Sequence, residues 1–163
     1  MKGKVYVNGN WGDIEVDFMI GKNHKGALLV MTDRATLHTS LHKLRNRRSK
    51  TVSKAIIKKL EQADYPMHTV TFDNDLGFAN HKEVAEALKV DTYFTRPYTS
   101  QDKGTVENRI GQLRRFFPKK TDLSMVTSDQ VKRVERLLNN RPLRKFNYKT
   151  PNQVLLEKIA LIT

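Results

Sequence analysis

The sequence predicts an α/β domain built on a five-stranded mixed sheet with flanking helices, and three observations carry that expectation. Three segments rich in β-branched and apolar residues come first, joined by short polar turns, the pattern of an antiparallel meander. The hydrophobic period then lengthens from two residues to that of a helix. Two further short β-type segments follow, separated by a helical pattern, and the rest of the chain reads as helices.

The first strand is expected over Asp13–Ile20, where Ile14, Val16, Phe18 and Ile20 alternate with Asp13, Glu15 and Asp17. Lys22-Asn23-His24-Lys25-Gly26 reads as a turn. Ala27–Thr32 is a continuous apolar run, the signature of a strand covered on both faces. A third strand is expected over Thr36–Leu41. Val52, Ile56, Leu60 and Ala63 mark one face of an amphipathic helix that stops at Tyr65-Pro66. His68–Phe72 is a strand leading into Asp73. Asn80 and Glu83 suggest a capping box opening a helix through Leu88, and Asp91–Phe94 is a short strand. Arg96–Ser100 reads as a loop. Val106, Ile110, Leu113 and Phe117 are spaced as one helical stripe, ended by Pro118. Thr127 with Gln130, and Thr150-Pro151 with Gln153, mark the starts of two more helices. This order, a meander feeding a parallel portion, is that of ribonuclease H-like domains. One domain is expected over residues 11–163, with residues 1–10 as an extension or linker.

Composition narrows the class of function. The 163 residues hold 30 Lys and Arg against 17 Asp and Glu, a net charge of +13, with a pI near 10.0. That excess favours a polyanionic partner, usually DNA or RNA. The charge is concentrated: eight basic residues and no acid lie between His42 and Lys59, and thirteen against four acids between Lys103 and Lys149. No apolar run approaches the roughly 18 residues of a membrane span, and the first residues lack a signal-peptide hydrophobic region. A cytoplasmic protein without a membrane role is therefore expected. With no cysteine, neither disulfides nor thiolate zinc sites are available.

Three acids stand where chemistry could use them. Asp17 closes the alternating first segment, Asp73 follows a strand, and Glu107 lies 33 intervening residues later at the start of a helix. Each alone has an ordinary reading: a polar strand face, a turn aspartate, an exposed helix glutamate. Together, on separate elements, they can converge on Mg²⁺ or Mn²⁺, which prefer hard oxygen ligands and serve phosphodiester displacement, often as a pair of ions. The five histidines show no zinc-ligand spacing.

These segments resemble the catalytic core of bacterial insertion-sequence transposases with an Asp-Asp-Glu triad, most closely the insertion sequence 30 family. Trp11–Lys22 is similar to the first motif, Thr71-Phe72-Asp73-Asn74 to the second. Pro97–Ser100, Lys103–Asn108 and Arg114–Lys119 are similar to the third, and Asn139-Asn140-Arg141-Pro142 with Tyr148–Pro151 to the C-terminal signatures. The likeness runs from about Trp11 to Glu157. Three positions depart from it: Asp75 replaces a glycine, Gly77 a glutamate, and Val106 an asparagine. Members also carry an N-terminal helix-turn-helix region, for which the roughly ten residues before Trp11 leave no room, so an isolated core is expected.

The resemblance implies Asp17, Asp73 and Glu107 as catalytic and metal-binding residues, with two Mg²⁺ or Mn²⁺ ions when DNA is bound. It implies cleavage at transposon ends and strand transfer into target DNA, by a chain that can assemble into homo-oligomers. A nuclease, or a catalytically silent DNA-binding remnant, is the alternative. DNA contacts are expected from Lys103, Arg109, Arg114, Arg115, Lys119 and Lys120, and supporting hydrogen bonds at the site from Asn74, His81 and Asn108.

Overall fold

The computed structural model describes residues 11–63, 65–96 and 104–162. The expected loop at Pro97–Ser100, Lys103 and the extension over residues 1–10 lie outside them. Five strands form one sheet: β1 (Asp13–Ile20), β2 (Ala27–Asp33), β3 (Thr39–Leu44), β4 (Thr69–Phe72) and β5 (Asp91–Phe94). Their spatial order is β3-β2-β1-β4-β5. β1 pairs antiparallel with β2, and β2 with β3, whereas β1–β4 and β4–β5 are parallel. The expected mixed α/β sheet is what forms, with β1 at its centre.

Helices cover both faces. On one side lie α1 (Ser49–Glu61) and α2 (His81–Leu88), over a core of Val16, Leu29, Met31, Ile56, Val70 and Phe72. On the other lie α3 (Gly104–Leu113) and α4 (Ser128–Asn139), over Met19, Leu28, Val30, Leu41, Val106 and Leu138. The two cores use alternate residues of the same strands, so every residue of β2 is buried, as its unbroken apolar run requires. A last helix, α5 (Pro151–Ala160), closes the described chain. Both α4 and α5 begin with complete capping boxes, Thr127 with Gln130 and Thr150 with Gln153.

Two expectations need correction. The third strand starts at Thr39, not Thr36, because Asp33 turns the chain first. Its Oδ1 accepts the N–H groups of Ala35 and Thr36 and the Thr36 hydroxyl, while Leu37 adopts φ 60°. These local bonds outcompete the ladder over those residues. Asn80 precedes α2 without a side-chain cap, since Glu83 instead accepts a hydrogen bond from Ser53 of α1.

The edge strand β3 is closed by α4. The Asn139 side chain accepts the Thr39 N–H and donates to the Thr39 carbonyl, both at 2.8 Å, and Glu135 accepts the Leu41 N–H at 2.7 Å. Side chains thus occupy backbone groups that would otherwise invite another strand.

Candidate active site

The site lies on the face of the sheet covered by α3. In the parallel β1–β4 ladder Val16 is the register partner of Phe72, so Asp17 and Asp73 are the next residues along the two strands. Neighbouring strands lie about 4.8 Å apart. Val16 and Phe72 point into the α1–α2 core, and the residues after them face the α3 side. Both aspartates are half-buried. Asp17 Oδ1 accepts the Phe18 N–H at 2.8 Å. Asp73 Oδ1 accepts the Asn74 N–H at 2.9 Å and the hydroxyl of Thr95 at 3.3 Å. Thr95 is held there because its own N–H continues the β4–β5 ladder to the Phe72 carbonyl.

Glu107 sits in the first turn of α3 and is exposed, while Val106 before it is fully buried against Met19, Leu28 and Val30. The start of this helix is fixed from below. Glu15, two residues before Asp17 on the same strand face, is 2% exposed. Its Oε2 accepts the Val106 N–H at 2.7 Å, and its Oε1 accepts Arg34 Nε–H at 3.0 Å. Burial raises the Glu15 carboxyl above its ordinary range, and the Arg34 charge and Val106 N–H pull it back. Sequence reasoning gave Glu15 no role beyond a polar strand face. The available signal was its place beside Asp17 on a strand that the apolar run of β2 and the β4 segment make central.

Carboxylates are the donor chemistry that Mg²⁺ and Mn²⁺ take. Among the described residues, no group of three or more His, Asp or Glu is close enough to hold an ion unaided. Asp17 and Asp73 follow register partners of adjoining strands, and Glu107 stands in the first turn of α3.

The expected DNA contacts divide. Arg115, Lys119 and Lys120 are exposed just past α3, as a phosphate contact needs. Arg109 does not fit that role: it is 1% exposed and donates to Thr39 Oγ1, Gln112 Oε1 and the Leu138 carbonyl. Burial depresses its guanidinium to about 10. Three residues after Val106, it occupies a position of the inward stripe. Arg114 is half-buried and donates through Nη2 to the Ile20 carbonyl at 3.0 Å, with Nη1 buried and unpartnered. It ties the end of α3 to the end of β1 and offers little to a phosphate. Lys103 lies outside the described residues.

Of the residues expected to support the site, Asn74 is exposed and contributes its backbone N–H to Asp73, and Asn108 is exposed on α3. His81 is displaced from it. Its Nδ1 is 3.1 Å from Thr92 Oγ1 and its ring meets Phe94 edge-on at 4.8 Å, on the α1–α2 side of the sheet. Asp17 faces the other side. The departures from the transposase motif are absorbed locally. Asp75 accepts the Gly77 N–H at 2.7 Å and caps a short 3₁₀ turn. A Cβ on Gly77 would lie 2.8 Å from the Phe18 ring, which stacks on Phe78 at 4.4 Å.

This fold is shared with a solved integrase core. The solved catalytic core domain of BIV integrase superposes with a TM-score of 0.69 over 93% of this chain and 98% of that one, at 16% identity. No family model matches the chain. In sequence it is 43% identical over 143 residues to the transposase for insertion sequence element IS4351 of Bacteroides fragilis, covering 88% of this chain and 44% of that protein. It is 34% identical over 155 residues to transposase InsI of element IS30A from Escherichia coli K12, covering 94% of this chain and 39% of that one. The chain is thus a homologue of the insertion-sequence transposases of the IS30 type, and it spans less than half the length of these relatives. No helix among the described residues is long and apolar enough to cross a membrane.

Proposed function

We propose that residues 11–163 are the catalytic core domain of a transposase that cleaves DNA at transposon ends and transfers the freed strand into target DNA. The observation that carries this reading is the placement of Asp17 and Asp73 on adjoining parallel strands, facing the helix that carries Glu107. Asp17, Asp73 and Glu107 would hold Mg²⁺ or Mn²⁺, probed as a pair of ions once DNA is bound. Bound there, the metal supplies charge stabilisation and an activated oxygen nucleophile for in-line phosphodiester displacement.

The chain's own residues fix the geometry of that chemistry. The β1–β4 ladder sets the separation of the aspartates, and Thr95 orients Asp73 by donating to Oδ1. Arg115, Lys119 and Lys120 hold the DNA by its phosphates, which places the strand without reading bases. The substrates are element ends and target duplex, met in the bacterial cytoplasm, and joining two ends calls for more than one copy of the chain.

A strand-transfer assay with precleaved ends and Mg²⁺ or Mn²⁺ tests the reading. Asp17→Asn, Asp73→Asn and Glu107→Gln each abolish product, while DNA affinity holds within roughly twofold because phosphate contacts dominate it. A variant that keeps near wild-type turnover removes its residue from the triad. A silent remnant shows no metal-dependent product even in the wild type.

A further inference from the structure

We infer that Glu15 is a positioning residue for Glu107, a buried tether that makes the strand carrying Asp17 also set the height and angle of the helix carrying the third carboxylate. The inference rests on the proposed three-carboxylate site and adds a residue to it.

The first four N–H groups of a helix have no partner within it. Val106, the third residue of α3, has one such group, and it points down into the protein rather than to solvent. Glu15 receives it at 2.7 Å. The other oxygen of the same carboxylate is occupied by Arg34 Nε–H, so neither oxygen is left to wander. Arg34 is itself fixed, since its backbone N–H donates to the Asp13 carbonyl of β1. Glu15 and Asp17 stand two residues apart on one face of one strand, whose register with β4 is locked over four pairs. The chain from Asp17 through Glu15 and Val106 to Glu107 therefore contains one short side-chain hydrogen bond and otherwise only backbone.

A hydrophobic contact could hold α3 down, and Val106 and Leu113 do so. Apolar packing alone is non-directional and permits small sliding and rotation. A charge-assisted hydrogen bond is short and directional, which is what a metal ligand on an exposed helical turn needs from its support.

The experiment uses nuclear magnetic resonance on the chain itself, titrated with Mg²⁺ alone. Two readouts are taken: hydrogen exchange at the Val106 amide, and the carboxyl carbon shifts of Asp17, Asp73 and Glu107. In the wild type, the Val106 amide is protected and the three carboxyl carbons respond along one common curve. In Glu15→Ala the amide exchanges on the order of 100-fold faster. The Glu107 response then separates from that of the two aspartates by about tenfold in Mg²⁺ concentration. Because Glu15→Ala also removes the carboxylate beside the Arg34 guanidinium, Glu15→Leu with Arg34→Met removes the tether and that charge together, and it gives the same separation.

Protection at Val106 that survives in both variants overturns the tether. So does a Glu107 response that stays on the common curve while exchange accelerates, because the bond is then structural only. Three independent responses already present in the wild type defeat the three-carboxylate site instead, and with it the purpose of the tether. That case is recognisable because wild type and variants then agree.

Discussion

Asn139 on α4 substitutes for a strand beside Thr39: one amide side chain accepts the Thr39 N–H and donates to the Thr39 carbonyl, both at 2.8 Å. The pair is buried at both ends and joins residues 100 positions apart. It explains why an asparagine stands at the inward C-terminal turn of α4, where the apolar series Val131, Val134 and Leu138 would suit another aliphatic residue.

Asn139→Ala leaves both backbone groups of Thr39 buried without partners. Each such group costs about 1–3 kcal/mol, so a loss of about 2–6 kcal/mol is expected in urea unfolding at neutral pH. A loss under about 0.5 kcal/mol would mean that β3 is not closed by this contact. Asn139→Leu, which fits the apolar series, is expected to be no better than Ala, because the bonds and not the volume are at stake.

The exposed cations past α3 carry the electrostatic part of DNA binding in this reading. Replacing Arg115, Lys119 and Lys120 together with Ala is expected to lower the slope of log affinity against log salt by about 3, at about 0.9 per phosphate lost. Arg109→Met should leave that slope unchanged, since the guanidinium is enclosed by Thr39, Gln112 and Leu138. An unchanged slope in the triple variant would move the DNA path to the groove of about 320 Å³ lined by Lys43, Lys58, Lys59 and Lys132.

The fold was legible because its strands and helices announce themselves by period, and the two true capping boxes by residue type. The three acids of the proposed site, Asp17, Asp73 and Glu107, were picked out by motif spacing alone. What the sequence hid were the side chains whose partners lie far along the chain. Glu15 meets Val106 across 91 positions and Asn139 meets Thr39 across 100, and no local pattern encodes either. Arg109 misled for a related reason. A cation is normally exposed, and only its place in the Val106–Leu113 stripe argued for burial. His81 misled because nearness to Asp73 in sequence says nothing about which face of the sheet a helix covers.

Acid is expected to weaken the fold through His38. Burial lowers its basicity below the usual imidazole value, helped by the charges of Arg109 and Lys59 and opposed by Glu135. A depressed folded-state value means that the unfolded chain binds the proton first. The stability His38 contributes is therefore full above the ordinary value near 6.5 and is lost as pH falls through its lower folded value. His42, lowered by burial and by Lys59 and Lys58, acts in the same sense. His38→Phe keeps the edge-on contact with Tyr65 and should shrink the stability difference between about pH 7.5 and about pH 5.5. An equal pH dependence in wild type and variant would assign the acid sensitivity to other groups.

Gly77 and Phe18 form a matched pair, and this is where the chain's departure from the transposase motif becomes testable. The ring of Phe18 stacks on Phe78 with an interplanar angle of 6° and turns its edge, Cζ and Cε2, toward Gly77. A Cβ at position 77 would come within 2.8 Å of that ring and 3.2 Å of the Arg47 carbonyl. The ring is 9% exposed and backed by the core, so it has little room to yield. Gly77→Ala is therefore expected to destabilise the fold by about 1–3 kcal/mol, the usual cost of overpacking. Phe18 directly follows Asp17, so the displaced ring should also disturb the first aspartate and lower turnover beyond the loss of folded protein. Phe18→Leu removes the obstructing ring edge, and in the double variant the two changes should compensate by about 1 kcal/mol or more relative to their sum. Strict additivity in a double-mutant cycle would show that the two residues do not interact and that the cost of Gly77→Ala arises elsewhere.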